Sequence, residues 1–286
     1  ASVHFLVGGT QANLTVIAAA LKPWEAVICA STGHINVHET GAVEATGHKV
    51  LTLPDPDGKV TPAMVLEILD SHPDEHMVKP KMVYISNTTE IGTQYTKAEL
   101  EALSHLCRQR ELYLFLDGAR LGAALASSAN DLTLADIAAL TDVFYIGGTK
   151  NGALFGEAVV ILNPQIDQDF RYMIKQRGGM LAKGWLLGIQ FETLFTDGLF
   201  YEMAGHASRL ADRLRAGLEE RGFSFYSRSV SNQLFPIFSD ELIEKLSADF
   251  SFNIQARIDD SHQAIRLVTS WATRAEAVDA LLKALD

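Results

Sequence analysis

Cysteine is nearly absent: the 286 residues contain two, Cys29 and Cys107. That excludes a disulfide framework. One lies in an apolar strand-like run and the other in a helical run, so both read as reduced thiols of a cytosolic protein. Positive charge is also scarce. Lys and Arg number 24 against 35 Asp and Glu, a formal net charge of −11, which argues against binding nucleic acid or an anionic membrane, since basic surface leads both. No apolar run approaches the roughly 20 residues of a membrane span. The opening "ASVHFLVGG" has neither the basic leader nor the apolar length of a signal peptide. Because a strand begins almost at the first residue, a segment upstream of it is expected to be missing. Internal repeats and low-complexity tracts are lacking as well.

Several motifs are missing too. There is no G-x-G-x-x-G fingerprint, no Walker loop and no G-x-S-x-G, so dinucleotide-binding, P-loop and serine-hydrolase readings fail. "HINVHE" sets His34 and His38 at i, i+4. It is not H-E-x-x-H and no third ligand is evident, so no metal site is expected.

What is present is an ordinary globular composition, 48% hydrophobic and 21% charged, in which short β-branched runs alternate with helical periodicity. That is the pattern of a largely parallel sheet covered on both faces. "VHFLV", "EAVICA", "HKVLTL", "KMVYIS", "LYLFLD", "DVFYIGG" and "EAVVIL" read as strands. Helices are expected over 10–21, through "NVHETGAVEATG", over 61–70, over 96–109 and between "LYLFLD" and "DVFYIGG". Thr96 with Glu99 three residues later forms a capping box. Long helical patterns run from 165 to 197, with a hinge at Gly198. A helix over 201–221, strands at "FSFY", "NQLFPIF", "FNIQARI" and "AIRLVTS", and a last helix then form a small α/β domain. The expected division is 1–198 and 199–286.

In such sheets ligands collect beyond the carboxyl ends of the strands. The segments there are polar and glycine-rich: "GGTQAN" (8–13), "STGH" (31–34), "SNTTE" (86–90), "DGAR" (117–120) and "GGTKNG" (147–152). In the first, Gly8 and Gly9 let the backbone approach a ligand at a helix start, where free N–H groups favour a phosphate; the same segment also reads as a Thr N-cap. In the last, Lys150 follows a buried strand between small residues, where desolvation makes an amine a better nucleophile toward a carbonyl; a surface lysine is the other reading. Asp117 at a strand end can hold a protonated ring nitrogen, and Arg120 can grip a carboxylate through its planar fork, unless the two simply pair with each other. A phosphate cradle, a desolvated lysine and a pyridinium partner are together what pyridoxal phosphate requires. One histidine stacking on a flat ring suits His34.

"FLVGGTQANLTVIAA", "GHINVHETGA", "LDGARLGAAL", "GGTKNG" and "AIRLVTS" fall in the order of the low-specificity L-threonine aldolases. The chain resembles that family over nearly its whole length. These are fold-type I pyridoxal-phosphate enzymes related to aminotransferases and β-eliminating lyases. The resemblance implies that Lys150 holds pyridoxal 5'-phosphate as a Schiff base and that Asp117 faces its ring nitrogen. It implies phosphate binding by Gly9 and Thr10, with His34 on the ring. Arg120 and Arg266 would meet the amino-acid carboxylate or the ring hydroxyl. It also implies a homo-oligomer, a dimer or a tetramer with shared active sites, and Lys183 in "KQRGGMLAKG" as a residue reaching a neighbour's phosphate. The family's longer N-terminal segment, which reaches the substrate pocket, precedes the point where this chain begins. Its E-N-T-H-N segment is here S-N-T-T-E, with Thr89 and Glu90 where the histidine would fall.

The activity implied is cleavage of a β-hydroxy-α-amino acid, threonine or allo-threonine, to glycine and an aldehyde. Glu90, His38 or a bound water would take the β-hydroxyl proton. A β-eliminating lyase or an aminotransferase would use the same cofactor, and a regulatory protein without turnover is the reading from another class.

Overall fold

The computed structural model describes residues 1–55 and 57–286. Its main sheet has seven strands: β1 (Ser2–Leu6), β2 (Glu25–Ala30), β3 (Val50–Leu53), β4 (Lys79–Ser86), β5 (Tyr113–Asp117), β6 (Val143–Gly147) and β7 (Glu157–Ile161). They lie in the order β1-β7-β6-β5-β4-β2-β3. The pairs from β3 across to β6 are parallel, whereas β7 runs antiparallel to both β6 and β1. The mostly parallel sheet read from the sequence is therefore present. Every residue of β2 is buried, as a strand covered on both faces requires.

The helix Gly9–Ala20 lays Ala12, Val16 and Ile17 against one face of the sheet, over Val27, Tyr84 and Phe115. The helix Lys97–Gln109 covers the other face, with Leu100, Leu103 and Cys107 against Ile28, Val83 and Leu114. Its capping box forms: Glu99 N donates to Thr96 Oγ1 at 3.3 Å, and Thr96 N to Glu99 Oε2 at 2.8 Å. Side chains alternate across a strand, so Asp117 shares the face of Phe115. That rule sets a carboxylate under the first turns of Gly9–Ala20.

A second sheet follows the helix Leu199–Glu220. It comprises β8 (Gln233–Leu234), β9 (Ile237–Ser239), β10 (Asn253–Arg257) and β11 (His262–Val268), with β11 antiparallel to the other three. Leu210, Leu214 and Leu218 of the helix, with Phe238, Ile265 and Leu281, form its core. No helix among the described residues is long and apolar enough to cross a membrane.

Several expected elements break where the backbone demands it. The helix expected through "NVHETGAVEATG" reduces to one turn, His34–Val37, and a 3-10 turn, Glu44–Thr46. Between them Thr40 and Gly41 take left-handed φ values of 53° and 70°, which no helix accommodates. The pattern over 165–197 separates into Pro164–Asp167, Phe170–Gln176 and Trp185–Phe195, interrupted by left-handed Asp169 and Gly178. The stretch between β5 and β6 holds two helices, Leu121–Ala126 and Leu134–Leu140. "NQLFPIF" splits into β8 and β9 at Pro236, which has no N–H to donate, and "FSFY" makes only an isolated bridge from Phe225 to Pro236.

Candidate active site

Four chain segments converge at the carboxyl ends of β4, β5 and β6. In the parallel ladder Ser86 stands opposite Asp117, and Asn87 N donates to the Asp117 carbonyl at 3.0 Å. Gly118 and β6 touch closely: Gly147 N donates to Gly118 O at 2.9 Å. A Cβ on Gly118 would run into the Tyr145 carbonyl, so only glycine fits this seam. The seam carries the "GGTKNG" segment alongside Asp117.

Asp117 is 3% exposed. Its Oδ2 accepts from Tyr84 Oη and from Asn13 Nδ2 (3.1 Å), and its Oδ1 from Ala119 N (2.9 Å). Among the described residues it forms no ion pair with Arg120, whose guanidinium has no hydrogen-bond or salt-bridge partner there. The simple Asp–Arg pair is thus not what "DGAR" builds. Burial pulls the Arg120 pKa below its ordinary value, and the nearby charge of Arg266 adds to this, while Glu90 and Asp117 oppose it. Arg266 arrives from β11, with Nη2 donating to Asn253 Oδ1 at 3.1 Å and Nε without a partner. The two guanidiniums leave unused donors for an anion, the arrangement that grips a carboxylate.

Lys150 is open to solvent at the cleft mouth, yet protein surrounds it closely enough to lower its ammonium pKa. Desolvation is the main cause and Arg120 the second, against Asp117, Glu90 and Glu157. An amine shifted in this direction is more readily deprotonated for attack on a carbonyl.

His34 is half-buried, with Nδ1 2.9 Å from Glu39 Oε1. Burial works to lower its pKa, but the Glu39 bond and the charges of Glu90 and Asp117 outweigh it, and the pKa is raised. His38 lies exposed, its ring centroid 5.4 Å from that of His34. Glu90 is half-buried and has no hydrogen-bond partner among the described residues. It lines a small cavity with Thr32, Ser86 and Thr89, and its charge bears on His34, Arg120 and Lys150.

The helix Gly9–Ala20 starts at Gly9, with extended Gly8 as its N-cap and no side-chain cap. Thr10 is therefore the second helical residue and not the cap. The Gly9 and Thr10 amides have no acceptor among the described residues, and a Cβ at Gly8 would meet nothing within 4 Å. Free donors beside open space fit an anionic group. The Asp117 carboxylate and the Lys150 amine fit the other two functions of a phosphorylated pyridine aldehyde. Lys183 is exposed and joins none of these groups. A wide depression, about 820 Å³, lies elsewhere, between Lys59 and Thr93 on one side and Phe225 and Arg228 on the other. It includes none of these charged groups, and chemistry, not width, marks the site.

Residues 1–241 match the family described as beta-eliminating lyase. The chain belongs to the beta-eliminating lyase family. It is 34% identical over 285 residues to a low specificity L-threonine aldolase of Pseudomonas aeruginosa, a match covering 98% of this chain and 81% of that protein. It superimposes with a TM-score of 0.98 on a threonine aldolase of Leishmania major, at 55% identity over 99% of this chain and 83% of the other. An aspartate aminotransferase of Thermus thermophilus shares the fold, with a TM-score of 0.69 at 18% identity over 99% of this chain and 74% of the other.

Four polar residues of this lyase escaped the sequence reading: Asn13, Glu39, Tyr84 and Glu157. Asn13 and Glu39 lie inside quoted motifs, but nothing in a linear pattern shows that they meet. Tyr84 was findable, because strand alternation places it on the Asp117 face one step before the strand end.

Glu157, on β7, is 4% exposed and accepts from Gly148 N at 3.1 Å. Burial pushes its carboxyl up from 4.5 to about 7, against hydrogen bonds from Thr149 and Gly148 that lower it. Between those values the unfolded chain has lost a proton that the folded lyase keeps. Stability therefore falls as pH rises through that window, by on the order of 3 kcal/mol in all. Glu157→Gln is expected to remove this slope. Urea unfolding should find the variant about 1–3 kcal/mol more stable than the parent at pH 8 and little changed at pH 4.5. An equal difference at both values would refute the assignment.

Proposed function

We propose that the protein is a pyridoxal-phosphate-dependent aldolase that cleaves L-threonine and L-allo-threonine to glycine and acetaldehyde. The observation that carries the reading is the division of labour in "DGAR". Asp117 is pinned by neutral donors, and Arg120 is left unpaired beside Lys150. Pyridoxal phosphate, when bound, supplies an electron sink for the pair released as Cα–Cβ breaks.

The chain's own residues do the rest. The Gly9 and Thr10 amides hold the phosphate and His34 covers the ring. Asp117 keeps the ring nitrogen protonated, and Lys150 holds the aldehyde carbon. Arg120 and Arg266 fix the substrate carboxylate, with Arg266 carried by a small domain formed from 199–286. The β-hydroxyl proton needs an acceptor inside the cleft, and we assign it to the Glu90 carboxylate, which has no competing partner, in preference to exposed His38.

We also infer a homo-oligomer. Trp185, Leu186 and Ile189 are 59%, 46% and 48% exposed on one helix, with Lys183 just before them, an apolar face that a second copy would cover. In the full assembly Lys183 would reach the partner's phosphate site. The free, buried thiols of Cys29 and Cys107 suit a reducing cytoplasm.

The test is product analysis. Protein supplied with pyridoxal phosphate should release glycine and acetaldehyde from L-threonine in equal amounts, and should sediment as a dimer or tetramer. Ammonia with a keto acid would instead make it a β-eliminating lyase, and dependence on an added keto acid an aminotransferase.

A further inference from the structure

Behind the cleft lies a buried polar chain that the aldolase reading does not use. Glu39 has a side chain with no exposed surface. Its Oε1 accepts from Asn13 Nδ2 at 2.8 Å and lies 2.9 Å from His34 Nδ1, while its Oε2 has no partner. The same Asn13 amide also donates to Asp117 Oδ2 at 3.1 Å. A neutral NH₂ group therefore spans two carboxylates, one proton to each. An ionised, buried carboxylate is costly unless a cation meets it, and among the described residues the one side chain in contact with Glu39 that can take a positive charge is His34.

We propose that Glu39 is a positioning residue whose carboxylate, bonded to His34 on one side and joined through Asn13 to Asp117 on the other, holds the two faces of the cofactor site as one buried unit. Its role rests on the reading of His34 and Asp117 given above. The local fold is built for it. The helix expected over 36–47 stops after one turn, and the left-handed pair Thr40–Gly41 follows directly on Glu39. The charges facing His34 are Glu39 from its own turn, Glu90 from the loop after β4 and Asp117 from β5, with the His38 ring beside it. Glu39 is the one that bonds to it directly. Replacing it removes both a bond and a charge, and His34 should therefore lose its proton at a lower pH, whereas replacing Glu90 or Asp117 removes a charge alone.

The experiment is a histidine-ring NMR titration of the full chain, with and without pyridoxal phosphate. The His34 resonance is identified by its loss in His34→Gln. Glu39→Gln should lower the His34 midpoint by about one pH unit or more, and Glu39→Asp should restore part of the shift. The double variant His34→Gln/Glu39→Gln should lose no more activity than the worse single one. A His34 midpoint unmoved in Glu39→Gln overturns the proposal.

Should Glu39→Gln fail to fold, Glu39→Asp carries the test. The shorter carboxylate draws back from His34 Nδ1, so the His34 midpoint must fall below the parent's, and an unchanged value overturns the proposal equally. The two readings fail separately. Coupled titration without aldol cleavage keeps the unit and removes the aldolase; cleavage with an unmoved midpoint removes only the unit.

Discussion

Asp117→Ala is expected to lower threonine turnover by roughly 10³-fold. The carboxylate is buried at the end of β5 and receives Tyr84 Oη, Asn13 Nδ2 and Ala119 N, an arrangement that fixes its direction without an ion pair among the described residues. Facing a ring nitrogen, it would hold the proton there and so strengthen the electron sink on which Cα–Cβ cleavage depends. Alanine also strands those donors, at about 1–3 kcal/mol for a buried group left unpaired, so a lower melting temperature accompanies the loss. Asp117→Asn separates the two effects, since it keeps the size and one acceptor but removes the charge. Steady-state kcat together with thermal unfolding of both variants decides the matter. Near-normal turnover in Asp117→Asn would end the role of the charge.

Lys150→Ala should be more severe for activity and almost silent for stability. Loss of the amine that binds the aldehyde carbon is expected to cost roughly 10⁴-fold or more in turnover. Lys150 has no hydrogen-bond partner among the described residues, is open to solvent and is repelled by Arg120. Its removal should therefore change unfolding by no more than about 0.5 kcal/mol. In the parent protein with pyridoxal phosphate, an absorption band at the violet edge of the visible should shift on adding borohydride. Peptide mass analysis should then find the cofactor's mass on Lys150. The variant should show neither. Attachment at another lysine, Lys183 for example, would place the chemistry elsewhere.

The sheet was legible because its strands are apolar and buried on both faces, so "EAVICA" and "LYLFLD" stand out without periodicity. The candidate residues at strand ends were legible for the same reason: the pattern ends abruptly on Asp117 and, after two glycines and a threonine, on Lys150. The single turn at 34–37 was not legible, because the helical periodicity runs on past the left-handed pair Thr40–Gly41 that ends it. Nor was the pinning of Asp117. Asn13 and Asp117 are far apart in sequence, and their meeting depends on strand order, which a single chain does not state. The C-terminal strands were overread because the pattern of "NQLFPIF" hides the missing donor at Pro236.

The close seam between Gly118 and β6 has a consequence for anyone reshaping this cleft by directed evolution. Randomising positions 118 and 147 would mostly yield misfolded protein, because a side chain there meets the opposing backbone at Tyr145 or Ala119 and not a movable rotamer. Thr89 lines the small cavity beside Glu90 and has no assigned step in the reaction. A library confined to position 89 samples new substrate preferences while leaving Glu90 and the close-packed seam untouched.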